Sequence, residues 1–166
     1  MRLIESVRLY ARYFTADDAD DFYRLNSDEE IMRYIRPIKT REESAQFLQQ
    51  IIASYATEAC NLRLALLEKD TDVFIGSFVI MPLKDTEDIQ LGYALLKEYW
   101  GRGYATEIVD AGLLYAFGVL ELASITAVTE AANIASQKVL LKAGFIFEKQ
   151  VDEGTKPVYL YRKHRS

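Results

Sequence analysis

At 166 residues and 19.0 kDa the chain is the size of one domain, 1–166, long enough to bury a core without disulfides or a structural metal. Half of its residues are hydrophobic and 27% are charged, which excludes a disordered composition. A formal charge of -5 excludes the basic surface that nucleic acid requires and mildly favours a cationic partner. A single cysteine, Cys60, excludes an intramolecular disulfide and a Cys-rich zinc site; it reads as a thiol on an apolar helix end. The start, Met1-Arg2-Leu3-Ile4-Glu5, reaches a charge too soon for a signal peptide, and the longest apolar run, Ala111 to Leu120, is too short to span a bilayer. A soluble cytoplasmic protein is expected, and 11 tyrosines suit the walls of a half-buried cleft.

Val7 to Tyr13 alternates with period two and predicts a first strand. Thr15 follows as a cap, with Asp18 at the third position, for a helix over Asp17 to Leu25. Ser27-Asp28-Glu29-Glu30 has the capping-box pattern and predicts a second short helix ending near Pro37. Thr40 and Glu43 repeat it for a longer helix through Phe47, Leu48, Ile51, Ile52 and Tyr55.

After Asn61 the period falls to two. Leu62, Leu64 and Leu66 form one arm of a hairpin, Lys69 to Asp72 its turn, and Val73 to Met81 the other arm. Ile89 to Leu96 adds a third strand to this meander, and Gly92 within it predicts a bulge or a close backbone approach. A helix over Thr106 to Phe117 and a strand over Ser124 to Val128 then imply a parallel pair joined by a crossover. A helix from Ala135 to Lys142 stops at Gly144, and Phe145 to Val151 with Pro157 to Tyr161 closes the chain as an antiparallel pair. These elements make one mixed-sheet α+β domain without internal repeats.

The chemistry concentrates at Trp100-Gly101-Arg102-Gly103-Tyr104-Ala105-Thr106, where a strand ends and a helix begins. Glycines at 101 and 103 let an anion reach backbone N–H groups at the positive end of the helix dipole. Ala105 keeps the first turn small and Arg102 adds a charge. A tight turn that needs glycine only for its dihedral angles remains the alternative. A Walker loop is disfavoured because no Gly-Lys-Ser/Thr follows, and Thr106 stands where a Rossmann loop has its third glycine.

Leu91-Gly92-Tyr93 through Tyr99 to Glu107 resembles the acyl-CoA motif of the GNAT superfamily of N-acetyltransferases. That motif is summarised as Arg/Gln-x-x-Gly-x-Gly/Ala; Gly103 and Ala105 fit it, whereas Trp100 departs at the first position. An aromatic there is similar to the branch that acetylates ribosomal-protein N-termini. Asn133 to Ser136 and Leu141-Lys142-Ala143-Gly144-Phe145 resemble a second block of the same branch, and Asp17 to Tyr34 resembles its opening.

The resemblance implies a mostly antiparallel sheet with a V-shaped splay at the parallel pair, and acetyl-CoA as cosubstrate with no metal. Gly101, Arg102, Gly103, Tyr104, Ala105 and Thr106 would hold the pyrophosphate and Leu95 and Leu96 the pantetheine, while Asn133 would touch the cofactor or merely cap its helix. Ser136 would protonate the leaving thiolate, and a backbone N–H near Tyr93 or Ala94 would stabilise the oxyanion. Glu130 is the candidate base, through water, because Gln90 is an amide and His164, the sole histidine, lies at an expected frayed end. The acceptor would be a primary amine, a protein N-terminus or a small amine such as a polyamine or amino sugar, met in a groove shaped by Asp17 to Ala59. A monomer or homodimer is expected. An acyl-CoA-binding sensor without catalysis and a phosphoryl-transfer module are the competing classes.

Overall fold

The computed structural model describes residues 1–58 and 60–166; Ala59, the last residue of the expected groove-forming stretch, lies outside the described residues. The first strand, β1 (Ile4–Glu5), is too short to show a period, and pairing of Ile4 with Ala11 holds it against β2 (Leu9–Tyr13). A 3-10 turn over Ala16–Asp18 leads into α1 (Ala19–Asn26), and the Thr15 N–H donates to Asp18 Oδ2 at 2.8 Å as the capping pattern predicts.

The second cap differs from expectation. Asp28, not Ser27, starts α2 (Glu29–Met32), because its extended backbone lets Oδ1 accept from the N–H groups of Glu30 and Ile31. The third cap is as predicted: α3 (Arg41–Ser54) opens with Glu43 N–H donating to Thr40 Oγ1 at 3.2 Å and Thr40 N–H donating to Glu43 Oε1 at 2.9 Å.

The expected meander is β3 (Leu62–Glu68), β4 (Phe74–Pro82) and β5 (Ile89–Leu95), each antiparallel to the next. No bulge occurs at Gly92. It faces Val79 in unbroken register, and a Cβ there would lie 3.2 Å from Val79 Cγ2, so close approach accounts for the glycine. The remaining elements are α4 (Tyr104–Gly118), β6 (Ser124–Glu130), α5 (Ile134–Lys142), β7 (Ile146–Glu153) and β8 (Lys156–His164). His164 ends β8 in register with Ser124 rather than fraying, and Cys60 is exposed rather than packed on an apolar surface.

All eight strands form one sheet in the order β1-β2-β3-β4-β5-β6-β8-β7, and β5–β6 is its one parallel pair among the described residues. Successive residues of β3 explain the layering. Leu64 and Leu66 bury against α4 and α5 on one face, while Ala65 and Leu67 bury against α1, α2 and α3 on the other. The parallel pairing is brief: Gln90 is in register with Thr126, whose Oγ1 donates to the Ile89 carbonyl at 3.0 Å. Beyond that point the strands diverge in the implied V. Tyr93 to Leu95 on one side and Ala127 to Glu130 on the other line a common cleft of about 1010 Å³.

Candidate active site

The floor of the cleft follows from strand alternation. The Leu96 N–H donates to the Ile75 carbonyl of β4 at 2.9 Å, so main-chain groups of alternate residues, Leu95 and Tyr93, point the other way, toward the departed β6. Leu96 itself leaves the gap: it is buried in the core, its N–H is taken by Ile75, and its carbonyl accepts from Tyr99 at 3.0 Å. Tyr93, rather than Leu96, joins Leu95 at the opening. The Leu95 carbonyl accepts from Trp100 Nε1 at 2.9 Å, which gives the aromatic at the first motif position a physical role, since its indole ties the glycine loop to the end of β5.

At the mouth, Gly101 and Gly103 adopt φ values of 73° and 81°, a left-handed conformation that disfavours other residues. Among the described residues, no protein acceptor takes the N–H of Gly101, Arg102, Gly103, Tyr104, Ala105 or Thr106; the first helical bond is Glu107 N–H to the Gly103 carbonyl at 3.1 Å. These donors lie at the N-terminus of a 15-residue helix, where the dipole adds positive potential. Gly101, Gly103, Tyr104, Ala105 and Thr106 line the cleft, whereas Arg102 does not; its guanidinium stacks on Tyr99, 5.3 Å from the ring centre.

A brace unseen in the sequence holds this loop. Glu107, in the first turn of α4, accepts from Ser6 Oγ at 2.6 Å, from the Arg8 N–H at 2.7 Å and from Arg8 Nε at 2.7 Å. Burial alone would raise its pKa, but these donors outweigh burial and hold the carboxyl below its usual range. The Arg8 guanidinium also donates to the Arg102 carbonyl at 3.0 Å and lies over the Tyr104 ring. The only hint in the sequence was an acidic residue in a first helical turn.

Deeper in the cleft, Asn133 caps α5 and accepts from the Ser136 N–H at 3.2 Å, so its side-chain carbonyl is already engaged. Ser136 also lines the cleft and interacts with the Tyr93 phenol, which burial pushes above its ordinary pKa and Ser136 eases partly back. Tyr93 therefore stays protonated at neutral pH beside Ser136. Glu130, at the end of β6, also lines the cleft, 3.6 Å from Lys156 Nζ. His164 and Gln90 divide: Gln90 lines the cleft and His164 does not.

The acidic balance of the whole chain does not extend into this cleft. Arg33, Arg36, Arg63, Lys84 and Lys156 line it, against the carboxylates of Glu30 and Glu130, which already pair with Lys97 and Lys156. Among the described residues, no group of three or more His, Cys, Asp or Glu could hold a metal ion, and no helix is long and apolar enough to cross a membrane.

Comparison with known proteins agrees with this geometry. Residues 8–146 match the acetyltransferase (GNAT) domain model. The chain is 29% identical over 163 residues to the uncharacterized N-acetyltransferase YoaA of Bacillus subtilis, covering 96% of this chain and 89% of that protein. Among solved structures, RimL, the ribosomal L7/L12 alpha-N-protein acetyltransferase in complex with coenzyme A, superimposes with a TM-score of 0.85 at 13% identity over 99% of this chain and 98% of that one. Spermidine N-acetyltransferase from Vibrio cholerae, in complex with CoA and spermine, gives a TM-score of 0.79 at 18% identity over 94% and 95%. With its splayed parallel pair, its glycine loop and a family match over most of its length, the chain belongs to the GNAT family of acetyltransferases.

Proposed function

We propose that this acetyltransferase moves an acetyl group from acetyl-CoA to a primary amine by direct attack, and that the amine is a peptide or protein N-terminus. The observation that carries the donor half is the run of unshared N–H groups from Gly101 to Thr106, opening into the gap between β5 and β6. Such a row suits the adjacent phosphates of a CoA pyrophosphate. In this reading the outward main-chain groups of Tyr93 and the Leu95 N–H face the pantetheine, and Asn133 contributes by orienting the start of α5.

The amine must be neutral when its lone pair forms the N–C bond to the thioester carbonyl. As the C–S bond breaks, the thiolate takes a proton and the new ammonium loses one. Ser136 is assigned to proton delivery, with the protonated Tyr93 phenol able to replenish it, and Glu130 to proton removal through water. Holding amine and thioester in line supplies several kcal/mol without a nucleophilic enzyme residue. A donor such as the Tyr93 N–H, if aimed at the developing oxyanion, is worth about 3 kcal/mol.

The acceptor half rests on different support. A wide cleft with several lining arginines and lysines is a poor host for a polyamine, the ligand of the Vibrio cholerae neighbour, and a better one for a peptide end, the kind of acceptor for which RimL is named. Incubation with acetyl-CoA and separated peptide and small-molecule fractions of a cell extract, read by mass spectrometry, tests both halves. N-terminally acetylated peptides are expected. Acetylation confined to polyamines or amino sugars would overturn the acceptor, and coenzyme A binding without any acetylated product would leave the non-catalytic sensor.

A further inference from the structure

The sequence gives no role to Arg36 or Arg63, yet the fold brings both to one aromatic ring. Each guanidinium lies against the same Phe47 ring, 5.1 Å and 5.2 Å from its centre, and both line the cleft. Neither has a carboxylate within ion-pair distance among the described residues. Among the described residues, Arg36 Nε is buried without a hydrogen-bond partner, and the Arg63 side chain donates only to Met81 Sδ, at 3.5 Å. Burial, and for Arg36 the charge of Arg63, push both pKa values down, Arg36 to about 10.

The pair is also held in place. Arg36 Nη2 donates to Asn26 Oδ1 at 2.7 Å, and Asn26, fully buried, is fixed in turn by Nδ2 donating to the Phe22 carbonyl at 2.8 Å. Bringing two like charges near one another, desolvating them and leaving a donor unshared is costly. An anion with two oxygens offsets the repulsion between the two charges, because a guanidinium offers parallel N–H donors that match a carboxylate.

Building on the acetyltransferase reading, we propose that Arg36 and Arg63 form a carboxylate-binding site for the acceptor, so that the enzyme selects amines that also carry a carboxylate. The carboxylate has two sources, the α-carboxylate of a free amino acid or an acidic side chain close to a peptide N-terminus. Acetylated products distinguish them without turnover. Binding would be titrated calorimetrically in two pairs, N-acetyl-leucine against N-acetyl-leucinamide, and N-acetyl-Leu-Glu-amide against N-acetyl-Leu-Gln-amide.

The expected result is at least about tenfold tighter binding of the carboxylate in one pair, the strength of a charge-assisted hydrogen bond. Preference in the first pair assigns free amino acids, and in the second, acidic peptide ends. Arg36→Gln and Arg63→Gln should each erode that preference, Arg36→Lys should restore part of it, and coenzyme A affinity should stay unchanged in all three as the measure of an intact fold. The proposal is overturned if the members of both pairs bind alike, or not at all, or if the preference survives in the double variant. Because the ligands are not acetylated further, absence of acetyl transfer to every amine would sink the catalytic reading while leaving this binding result to stand or fall alone.

Discussion

In the proposed reaction the two sides of the cleft would recognise their ligands by different means. On the donor side, Gly101 to Thr106 and the end of β5 offer main-chain N–H and carbonyl groups, and side chains serve mainly to hold them: Trp100 Nε1 on the Leu95 carbonyl, Arg8 on the Arg102 carbonyl and Glu107. On the acceptor side, the backbone is tied up in α1, α2 and α3, and side chains from β3 and the segment after α2 make the surface. Main-chain recognition tolerates sequence drift, which suits a donor shared across a family. Side-chain recognition can change with single substitutions, which suits acceptors that differ between relatives.

The sharpest test of this division lies where the sides meet. Removing the Ser136 hydroxyl by Ser136→Ala should lower kcat about 100-fold, the scale of a positioned general acid, while leaving the KM for acetyl-CoA within about twofold. Tyr93→Phe should give a smaller fall of the same kind, since it removes only the group behind Ser136. Stopped-flow or coupled thiol detection across a range of acetyl-CoA concentrations separates the two parameters. A KM effect as large as the kcat effect would place Ser136 among the binding groups instead.

Next in size is the backbone itself. Gly103→Val forces a β-branched residue into φ of 81°, a strain of about 1–3 kcal/mol, and turns the N–H row out of line. Coenzyme A affinity should fall about 10- to 100-fold, measured by titration, with the affinity for acetylated acceptor products unchanged. Loss of both together would mean that the two sides do not act separately.

How much of this was legible differs between the sides for the same reason. The glycines of the loop announce their own backbone conformation, and caps such as Thr40 with Glu43 announce their helix, because those requirements are local. The V between β5 and β6 came only through resemblance, since divergence of two strands 36 positions apart at Gln90 and Thr126 leaves no periodic trace. Arg36 and Arg63 were invisible for a related reason. Nothing in either neighbourhood predicts that α3 sets Phe47 against both of them or that no carboxylate follows among the described residues. The cap expected at Ser27 shows a local limit, because adjacent Asp28 takes the Glu30 N–H that Ser27 would have bonded and starts the helix one residue later.

The loop's brace supplies a test by pH. Glu107 is held below its usual carboxylate pKa in the folded chain, so its contribution is fully present above the ordinary glutamate range and is lost as pH falls through the depressed folded value. Glu107→Gln should therefore lower Tm by about 4–8 °C at pH 7, equivalent to about 2 kcal/mol of charge-assisted hydrogen bonding. Thermal melts repeated toward acid should bring variant and parent together below the folded pKa. A difference that persists there would assign the loss to packing rather than to the carboxylate charge.

The smallest effect is expected at Trp100, and it is the most discriminating for the donor side. Trp100→Phe keeps an aromatic ring at a half-exposed position but removes the donor that reaches the Leu95 carbonyl at 2.9 Å. One neutral hydrogen bond contributes about 1 kcal/mol net, so the KM for acetyl-CoA should rise about fivefold. The Arg8 and Glu107 contacts remain to hold the loop, which is why the change stops there. Because the carbonyl released points into the β5–β6 gap, it becomes available to the pantetheine and offsets part of the loss. A fall in KM would then mean that the pantetheine competes with the indole for Leu95, and that Trp100 sets how tightly the donor is held rather than whether it binds.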